Sequence, residues 1–223
     1  MQLSLELLES YRSARYNLYR RRAGASVLQK LLLALGMAVL TGLMAQVRLP
    51  LPWSPVPITG QTFAVLLAGV LLGNTWAGVS MAMYITLGVA GVPWFTGWGA
   101  GFAHLAGATG GYIWGFILAA LFIGYMADRF VRARSFIAMF ALMLFANFVL
   151  IYGPGLGQLY LWLSLVKGSA VDFTGLLYMG MIPFIAGDVI KAALAAILGR
   201  ALMPKEAFNN ETDAAKWLNR RLP

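Results

Sequence analysis

Two ionisable side chains stand inside an apolar run near the C-terminal end of the sequence. Asp188 and Lys191 lie in the hydrophobic segment 179–202, within the string PFIAGDVIK. A charge at the centre of a membrane helix costs at least about 2.5–3.5 kcal/mol, so such residues mark a functional site by default. The three-residue spacing places both on one helix face. We interpret them as a ligand site, because a purely structural ion pair can be replaced by apolar residues at little cost.

Polar side chains also stand at the start of the second apolar segment. Thr59 and Gln61 fall in the string PVPITGQT and bring a hydroxyl and an amide to a helix entrance. Thr59 alternatively caps the helix that follows, a role that needs no ligand. Asn147 lies within the fifth apolar segment, where an interhelical hydrogen bond is the simpler interpretation. The residues alone leave these alternatives open.

The loop 93–112 is rich in glycine and aromatic residues and contains no Lys, Arg, Asp or Glu. One interpretation is a belt of aromatic side chains at the membrane interface. The glycines favour the other interpretation, a lid that covers an apolar ligand. The candidates for covering residues are Trp94, Phe95 and Trp98.

The composition is that of a membrane protein. The 223 residues are 60% hydrophobic and only 11% charged, whereas soluble domains carry about 25% charged residues. The composition therefore disfavours a soluble enzyme, a soluble binding module and a disordered chain. The sequence has no Cys and one His, which rules out disulfides, thiolate metal sites and multi-His metal sites. No cofactor is expected.

Hydrophobic segments of near-spanning length set the fold class. We predict an all-α integral membrane protein, a compact bundle of six transmembrane helices, because a crossing needs about 20 apolar residues. The stretch 155–178 is either an extension of the fifth helix, a surface helix or a re-entrant piece. The six segments are 28–47, 58–73, 75–92, 111–128, 135–154 and 179–202.

The distribution of basic residues predicts the orientation. With six crossings and an internal N-terminus, 14 of the 17 Lys and Arg residues fall on the inner side. Both termini are therefore expected in the cytoplasm of a cell-membrane protein. The net charge of +9 then reflects topology and an anionic inner leaflet rather than a nucleic-acid partner. The predicted parts are a basic segment 1–27, a membrane domain 28–203 and a polar tail 204–223.

A stripe of small residues runs along the first apolar segment. Ala34, Ala38 and Gly42 recur every four residues, a pattern that lets helices approach closely. The stripe serves either packing within this chain or docking to another membrane subunit. Periodicity does not choose between the two.

Four separated motifs occur in an order that resembles the BioY family, the biotin-binding S components of energy-coupling factor (ECF) transporters. They are PVPITGQTFAVLLAGVLLG, GVPWFTG, GATGGYIWGF and PFIAGDVIK, and the resemblance covers residues 28–203. Ala108 stands in the third motif where the family pattern has proline. The resemblance implies a six-helix protein that binds biotin near the outer face of the membrane. It also implies two kinds of partner, a transmembrane coupling subunit that contacts Ala34 and Ala38, and two ABC-type ATPases.

The resemblance assigns roles to the polar residues. Asp188 is expected to accept hydrogen bonds from the ureido N–H groups of biotin. Lys191 is expected to meet either the carboxylate or the ureido carbonyl, and the sequence does not decide which. The candidates for further hydrogen bonds are Thr59, Gln61, Asn147 and Tyr112. The chain has no GxxxxGK[ST] phosphate loop, so ATP hydrolysis is expected in the partners.

Other functions remain as alternatives. A self-sufficient transporter would use Asp188 to couple protons or would work by facilitated diffusion, although no inverted repeat supports it. An S component for a different vitamin would share the same architecture. An intramembrane protease is disfavoured, because it needs two membrane carboxylates. Asp188 is the only acidic residue in the interior of a predicted span, since Asp128 stands at the end of the segment 111–128. A homo-oligomer is compatible with every one of these functions.

Overall fold

The structure, a computed structural model, describes residues 2–205, 207 and 211–213. The described chain is dominated by helices. The α-helices are α1 (Gln2–Gly24), α2 (Val27–Gln46), α3 (Gln61–Leu72), α4 (Asn74–Val89), α5 (Phe102–Leu105), α6 (Gly110–Arg129), α7 (Phe136–Phe145), α8 (Tyr152–Leu161), α9 (Phe173–Gly180) and α10 (Ile185–Leu202). Two strands, two π-helical segments and two 3-10 turns complete it: β1 (Arg48–Leu51), β2 (Ser54–Thr59), Ala146–Ile151, Trp162–Val166, Arg132–Arg134 and Ile182–Phe184.

Four helical segments of the described chain are long and apolar enough to cross a membrane. They are Val27–Gln46, Gly110–Arg129, Phe136–Val166 and Phe173–Leu202. The helices α3 and α4 are shorter, with 12 and 16 residues. Each of the six predicted apolar segments contains a helix, so the helical class is confirmed. Six complete crossings stay a prediction, because α3 and α4 are short of the usual spanning length.

The uncertain stretch 155–178 divides into two parts. Its first part extends the fifth predicted segment, since the helix that begins at Phe136 continues to Val166. Its last part belongs to α9, where the side chain of Asp172 accepts a hydrogen bond from the Gly175 N–H and caps the helix. Of the three structures predicted for this stretch, the extension is the one observed for 155–166.

A β-hairpin that the sequence analysis did not predict connects α2 to α3. The strands β1 and β2 pair antiparallel, with Arg48 opposite Thr59 and Leu51 opposite Ser54. Proline is tolerated here because a two-stranded sheet consists only of edge strands. The helix α3 then begins at Gln61, and Gly60 occupies the N-cap position without a side-chain hydrogen bond. The alternative role of Thr59 as a helix cap is therefore not observed.

The helix α6 lies at the centre of the bundle and packs against α3, α4 and α8. Its glycines allow backbone to meet backbone. A Cβ atom on Gly111 would lie 2.2 Å from the carbonyl oxygen of Pro154, and one on Gly115 would lie 2.6 Å from the Cα atom of Ile151. These two positions bring the segment 146–158 directly onto α6.

The small-residue stripe of α2 faces the interior of this chain. Ala34 and Ala38 have no exposed surface. The hydroxyl of Ser80 on α4 donates a 2.7 Å hydrogen bond to the Ala34 carbonyl. A Cβ atom on Gly42 would lie 2.8 Å from the Cβ atom of Trp94. The stripe thus packs α2 against its neighbours within this chain. The contact of Ala34 and Ala38 with a coupling subunit stays a prediction.

The N-terminal helix α1 lies across one end of the bundle, which we call the basic end. At this end the helices α2, α4 and α7 begin, and the helices α3, α6 and α10 end. The Tyr19 hydroxyl donates to the Val70 carbonyl at 3.3 Å, and Arg22 donates to the Leu71 carbonyl at 3.0 Å. Arg22 also forms a 2.6 Å ion pair with Asp128. Burial raises the pKa of Tyr19 to about 12. The hydroxyl therefore stays protonated as a donor to the end of α3.

The described part of the C-terminal tail is attached to the same end. Glu211 forms a 2.5 Å ion pair with Arg134, and both side chains are almost completely buried. Asp213 accepts hydrogen bonds from the backbone N–H groups of Val131 and Arg132 at 2.7 and 2.9 Å. Residues 211–213 thus close over the turn between α6 and α7. Of the predicted tail 204–223, residues 206, 208–210 and 214–223 lie outside the described residues.

Candidate ligand-binding site

A partly open cavity lies at the end of the bundle opposite the basic end, with about 540 Å³ of space that includes its opening to solvent. Its walls come from β2, α3, the loop before α6, the start of α6, the helix 136–166 and α10. Most of the wall surface is apolar, and the polar groups converge on one side. The lining residues are Val56, Pro57, Thr59, Gln61, Thr62, Thr96, Thr109, Tyr112, Ile113, Phe116, Ile151, Tyr152, Phe184, Asp188 and Lys191.

The carboxylate of Asp188 is the most densely hydrogen-bonded group of the site, and only 3% of the residue is exposed. Its Oδ1 atom lies 2.5 Å from the Lys191 Nζ atom and accepts a 3.3 Å hydrogen bond from the Thr62 hydroxyl. Its Oδ2 atom accepts from the Asn147 Nδ2 group at 3.0 Å and from the Tyr152 hydroxyl. A carboxylate has about four lone-pair positions, and all of them are used here.

The ammonium group of Lys191 joins α10 to the β-hairpin. Besides its contact with Asp188, the Nζ atom donates a 2.8 Å hydrogen bond to the backbone carbonyl of Thr59. An ammonium group has three donors. In the described structure two of them are used, and the side chain is 16% exposed toward the cavity. One donor is therefore available to an acceptor on a ligand.

A π-helical segment aims two polar side chains at Asp188. Asn147 and Tyr152 are five residues apart, and Ala146–Ile151 is π-helical. In a π-helix the backbone bond runs from residue i to i+5, so these two side chains project in similar directions. In an α-helix the same spacing would separate them. The Asn147 Oδ1 atom is buried and has no partner in the described structure, which leaves an acceptor beside Asp188.

Gln61 ties the hairpin, α4 and the glycine-rich loop together at the cavity. Its Nε2 group donates to the Tyr84 hydroxyl at 2.8 Å. Its Oε1 atom accepts from the hydroxyls of Thr59 and Thr96 at 3.2 and 3.3 Å. Because these contacts use most of the hydrogen-bonding capacity of the amide, Gln61 acts mainly by positioning its neighbours.

Tyr112 lines the cavity with its ring. Its hydroxyl donates a 2.8 Å hydrogen bond to the Gly180 carbonyl. Its ring meets the ring of Tyr152 edge-on at a centroid distance of 5.7 Å. The donor of Tyr112 is thus occupied, and the residue contributes an aromatic wall and a hydroxyl acceptor.

The three aromatic residues predicted as a lid are not among the residues that line the cavity. Trp94 and Phe95 are 8% and 0% exposed, and they pack against Tyr84 at ring distances of 5.4 and 5.3 Å. Trp98 is 64% exposed and adopts a positive φ of 60°. Thr96, from the same loop, reaches the cavity instead. The role of the three aromatic residues as a lid stays a prediction.

Several lining residues were missed by the sequence analysis. Tyr152 is the most important of them, because it donates directly to Asp188. Its tyrosine hydroxyl in an apolar segment was a usable signal, of the same kind that singled out Asn147. Phe116 and Phe184 carry no such signal, since an aromatic residue in a membrane helix looks like any other core residue. Thr96 and Thr109 were recognisable as candidates, because they are polar residues within the glycine-rich loop that was predicted to cover the ligand.

The fold and the site together define a class: a multi-pass helical membrane protein with a small-molecule pocket. Its mostly apolar wall suits an apolar ligand body, and its convergent polar groups suit a ligand with both donors and acceptors. The model of the BioY family matches residues 15–207. The chain belongs to the BioY family.

Individual relatives and one solved structure agree with this assignment. The chain is 48% identical over 157 residues to the probable biotin transporter BioY of Methanothermobacter thermautotrophicus, an alignment covering 70% of this chain and 100% of the relative. It is 33% identical over 177 residues to the biotin transporter BioY of Rhizobium etli, covering 77% and 91% of the two chains. A crystal structure of the S-component for biotin from an ECF-type ABC transporter matches with a TM-score of 0.69 at 23% identity. That match covers 78% of this chain and 90% of the solved one, and it supports the fold.

Proposed function

We propose that this chain is the substrate-binding membrane subunit of an ECF transporter, and that its substrate is biotin. The observation that carries the proposal is the Asp188–Lys191 pair in the wall of a largely apolar cavity. The names of the relatives as biotin transporters support the choice of ligand. The fold shared with an S-component supports the role as a capture subunit.

The chemistry of biotin suits the lining of the cavity. Its fused bicycle is apolar apart from the ureido group, which offers two N–H donors and a carbonyl acceptor. Ile113, Phe116 and Phe184 provide apolar wall for the bicycle, and their burial against a ligand contributes roughly 25 cal/mol for each Å² removed from water. The ureido group then faces the polar side of the cavity.

Two acceptors compete for the ureido N–H groups. Asp188 already accepts four hydrogen bonds, and the 3.3 Å bond from Thr62 is the longest of them. A ligand N–H replaces this bond at the smallest cost. The Asn147 Oδ1 atom has no partner in the described structure, so a second N–H satisfies it without breaking anything. A buried acceptor without a partner costs about 1–3 kcal/mol, and ligand binding removes that cost.

The ligand orientation follows from charge. Asp188 and Lys191 neutralise each other when the site holds no ligand. A carboxylate placed beside Asp188 would bring two negative charges together in a buried region, which is unfavourable. We therefore assign the ureido carbonyl to the remaining donor of Lys191 and place the biotin carboxylate toward the opening of the cavity.

The architecture supports a specific place in the membrane. We propose six crossings with both termini in the cytoplasm, because the basic side chains gather at the end opposite the cavity. The cavity then opens to the outside, where it captures the vitamin. A transmembrane coupling subunit and two ABC-type ATPases are proposed to supply the energy for release inside.

Equilibrium binding of biotin to the purified protein in detergent tests this function. We expect high-affinity binding without ATP, competition by desthiobiotin, and no competition by riboflavin. Thermal unfolding in the same detergent verifies that the sample is folded. A folded sample that does not bind biotin would remove the biotin assignment, and competition by riboflavin would indicate an S component of broader or different specificity.

A further inference from the structure

A second group of cavities lies at the basic end, far from the biotin site. Two neighbouring cavities, with about 840 and 860 Å³ of space that includes their openings to solvent, share three lining residues, Phe136, Arg200 and Lys205. Because they share these residues, the two cavities adjoin each other in a depression between α1, the start of α7 and the end of α10. We call this depression the basic cavity.

Four cationic side chains surround the basic cavity: Arg12, Arg15, Arg200 and Lys205. None of them forms an ion pair within the described part of the chain, and no acidic residue is among the described lining residues. Arg134 also lines the cavity, but its charge is engaged by Glu211. Among the described residues, this positive charge is therefore available to an anionic ligand.

Part of this positive charge is held in place. The Arg15 guanidinium donates to the carbonyls of Arg200 and Met203 at 3.3 and 3.2 Å. It also lies 4.4 Å above the ring of Tyr11, whose hydroxyl donates to the Ala201 carbonyl. The Nε group of Arg15 is buried and has no partner in the described structure. A preorganised cation with an unused donor indicates a ligand with strong acceptors.

The surroundings of the cavity indicate that this ligand carries acyl chains. Beside the cations, the walls contain Leu8, Phe136 and Ile137. Leu8 is 52% exposed and Ile137 is 80% exposed. From the cavity, Ile197, Leu194 and Ile190 form an exposed aliphatic row along α10, with exposures of 51%, 50% and 60%. A soluble anion makes no use of this row, whereas a lipid tail covers it.

We propose that the basic cavity binds the phosphate headgroup of an anionic phospholipid, whose acyl chains lie along the outer face of α10. Basic pockets between membrane helices on the cytoplasmic side are suited to such headgroups. The occupant would pin α1 to the membrane surface and to the end of α10. This proposal stands on the basic end alone and does not depend on the identity of the transported vitamin.

Native mass spectrometry of the detergent-solubilised protein tests the proposal. Titration with phosphatidylglycerol is compared with phosphatidylcholine of the same acyl chains, and inorganic phosphate is added as a competitor. We expect phosphatidylglycerol to bind at least tenfold more tightly than phosphatidylcholine. Equal binding of the two lipids would overturn the proposal and leave the cations for an acidic surface of a partner protein. Displacement by inorganic phosphate alone, at a similar concentration to the lipid, would show a free-phosphate site instead.

Matched variants separate a built site from general charge attraction. The variant Arg12→Gln/Arg200→Gln removes two lining cations, and neither side chain makes a hydrogen bond in the described structure. Each cation near an anionic headgroup is worth roughly fivefold, so we expect about twenty-five-fold weaker binding. The control Arg20→Gln/Arg21→Gln removes two exposed cations of α1 outside the cavity, and it should change binding less than threefold. An equal loss of lipid affinity in both variants would contradict a specific site. The variant Arg12→Lys/Arg200→Lys keeps both charges and should retain most of the lipid affinity.

Discussion

At the scale of single residues, the Asp188 carboxylate organises the site, and its removal gives the sharpest test. Asp188→Asn removes the charge that neutralises Lys191 and converts two acceptor positions into donors. We expect biotin binding to weaken at least tenfold, because a hydrogen bond to a buried charged group contributes about 1.5–3 kcal/mol. Equilibrium titration with biotin measures the change.

The control for this substitution is Asp172→Asn. Asp172 is an exposed N-cap of α9, and asparagine caps helices as well as aspartate does. Its biotin affinity should stay within about twofold of the unmodified protein. Normal binding by a folded Asp188→Asn variant would show that the carboxylate does not contact the ligand.

The hydroxyl of Tyr152 allows a second test at the residue scale. It donates to the Oδ2 atom of Asp188, whereas Lys191 contacts the Oδ1 atom. Tyr152→Phe keeps the ring that stacks on Phe148 and removes only the hydroxyl. We expect roughly tenfold weaker biotin binding, from the loss of one hydrogen bond to a charged group. Tyr160→Phe, on the same helix and 47% exposed, is the matched control and should bind as the unmodified protein does.

Residue types predicted part of this site and missed another part for a physical reason. A charge in an apolar run is costly, so Asp188 and Lys191 stood out at once. The side chains that donate hydrogen bonds to a buried carboxylate are determined by the register of the neighbouring helix, which residue types do not show. Asn147 and Tyr152 reach the same oxygen only because the chain is π-helical between them. Nothing in the residue types of this segment shows where the extra residue enters the helix.

At the scale of elements, the close approach of α6 to the helix 136–166 positions the polar side of the cavity. Gly115→Ala would place a Cβ atom 2.6 Å from the Cα atom of Ile151. Backbone cannot yield as a flexible side chain does, so we expect a destabilisation of about 1–3 kcal/mol from overpacking. Thermal unfolding in detergent and biotin titration should both show a loss.

Gly153→Ala is the control for this prediction. Gly153 lies on the same long helix, and a Cβ atom there would meet nothing within 4 Å. Alanine is favoured over glycine in a helix by up to about 1 kcal/mol, so this variant should be as stable as the unmodified protein or slightly more stable. If Gly115→Ala behaved like Gly153→Ala, the segment 146–158 would have to be free to move away from α6.

The elements themselves were predictable to different degrees. Long apolar runs give helices wherever the backbone must satisfy its own hydrogen bonds in lipid, and α2, α6 and α10 follow this rule. The hairpin 48–59 was not predicted because its prolines, such as Pro50 and Pro57, argue against strands in general. A two-stranded hairpin tolerates them, since each strand keeps one unpaired edge.

At the scale of the whole molecule, the orientation is testable because the sequence has no Cys. Single cysteines introduced at two exposed positions, Ala23→Cys at the basic end and Ser169→Cys at the opposite end, report the side of the membrane. A membrane-impermeant maleimide applied to intact cells should label Ser169→Cys only. Both should react after the membrane is permeabilised. Labelling of Ala23→Cys alone would invert the proposed topology and place the biotin cavity inside.

The buried ion pair between Arg134 and Glu211 has a consequence for anyone who wishes to shorten or tag this protein. Cutting the chain after α10 would leave the Arg134 guanidinium, whose side chain is only 1% exposed, without its carboxylate. Breaking a buried pair by removing one partner costs about 3–5 kcal/mol, enough to harm a membrane protein during extraction. A reporter or affinity handle therefore belongs beyond residue 213, where the turn at 129–134 keeps its cover.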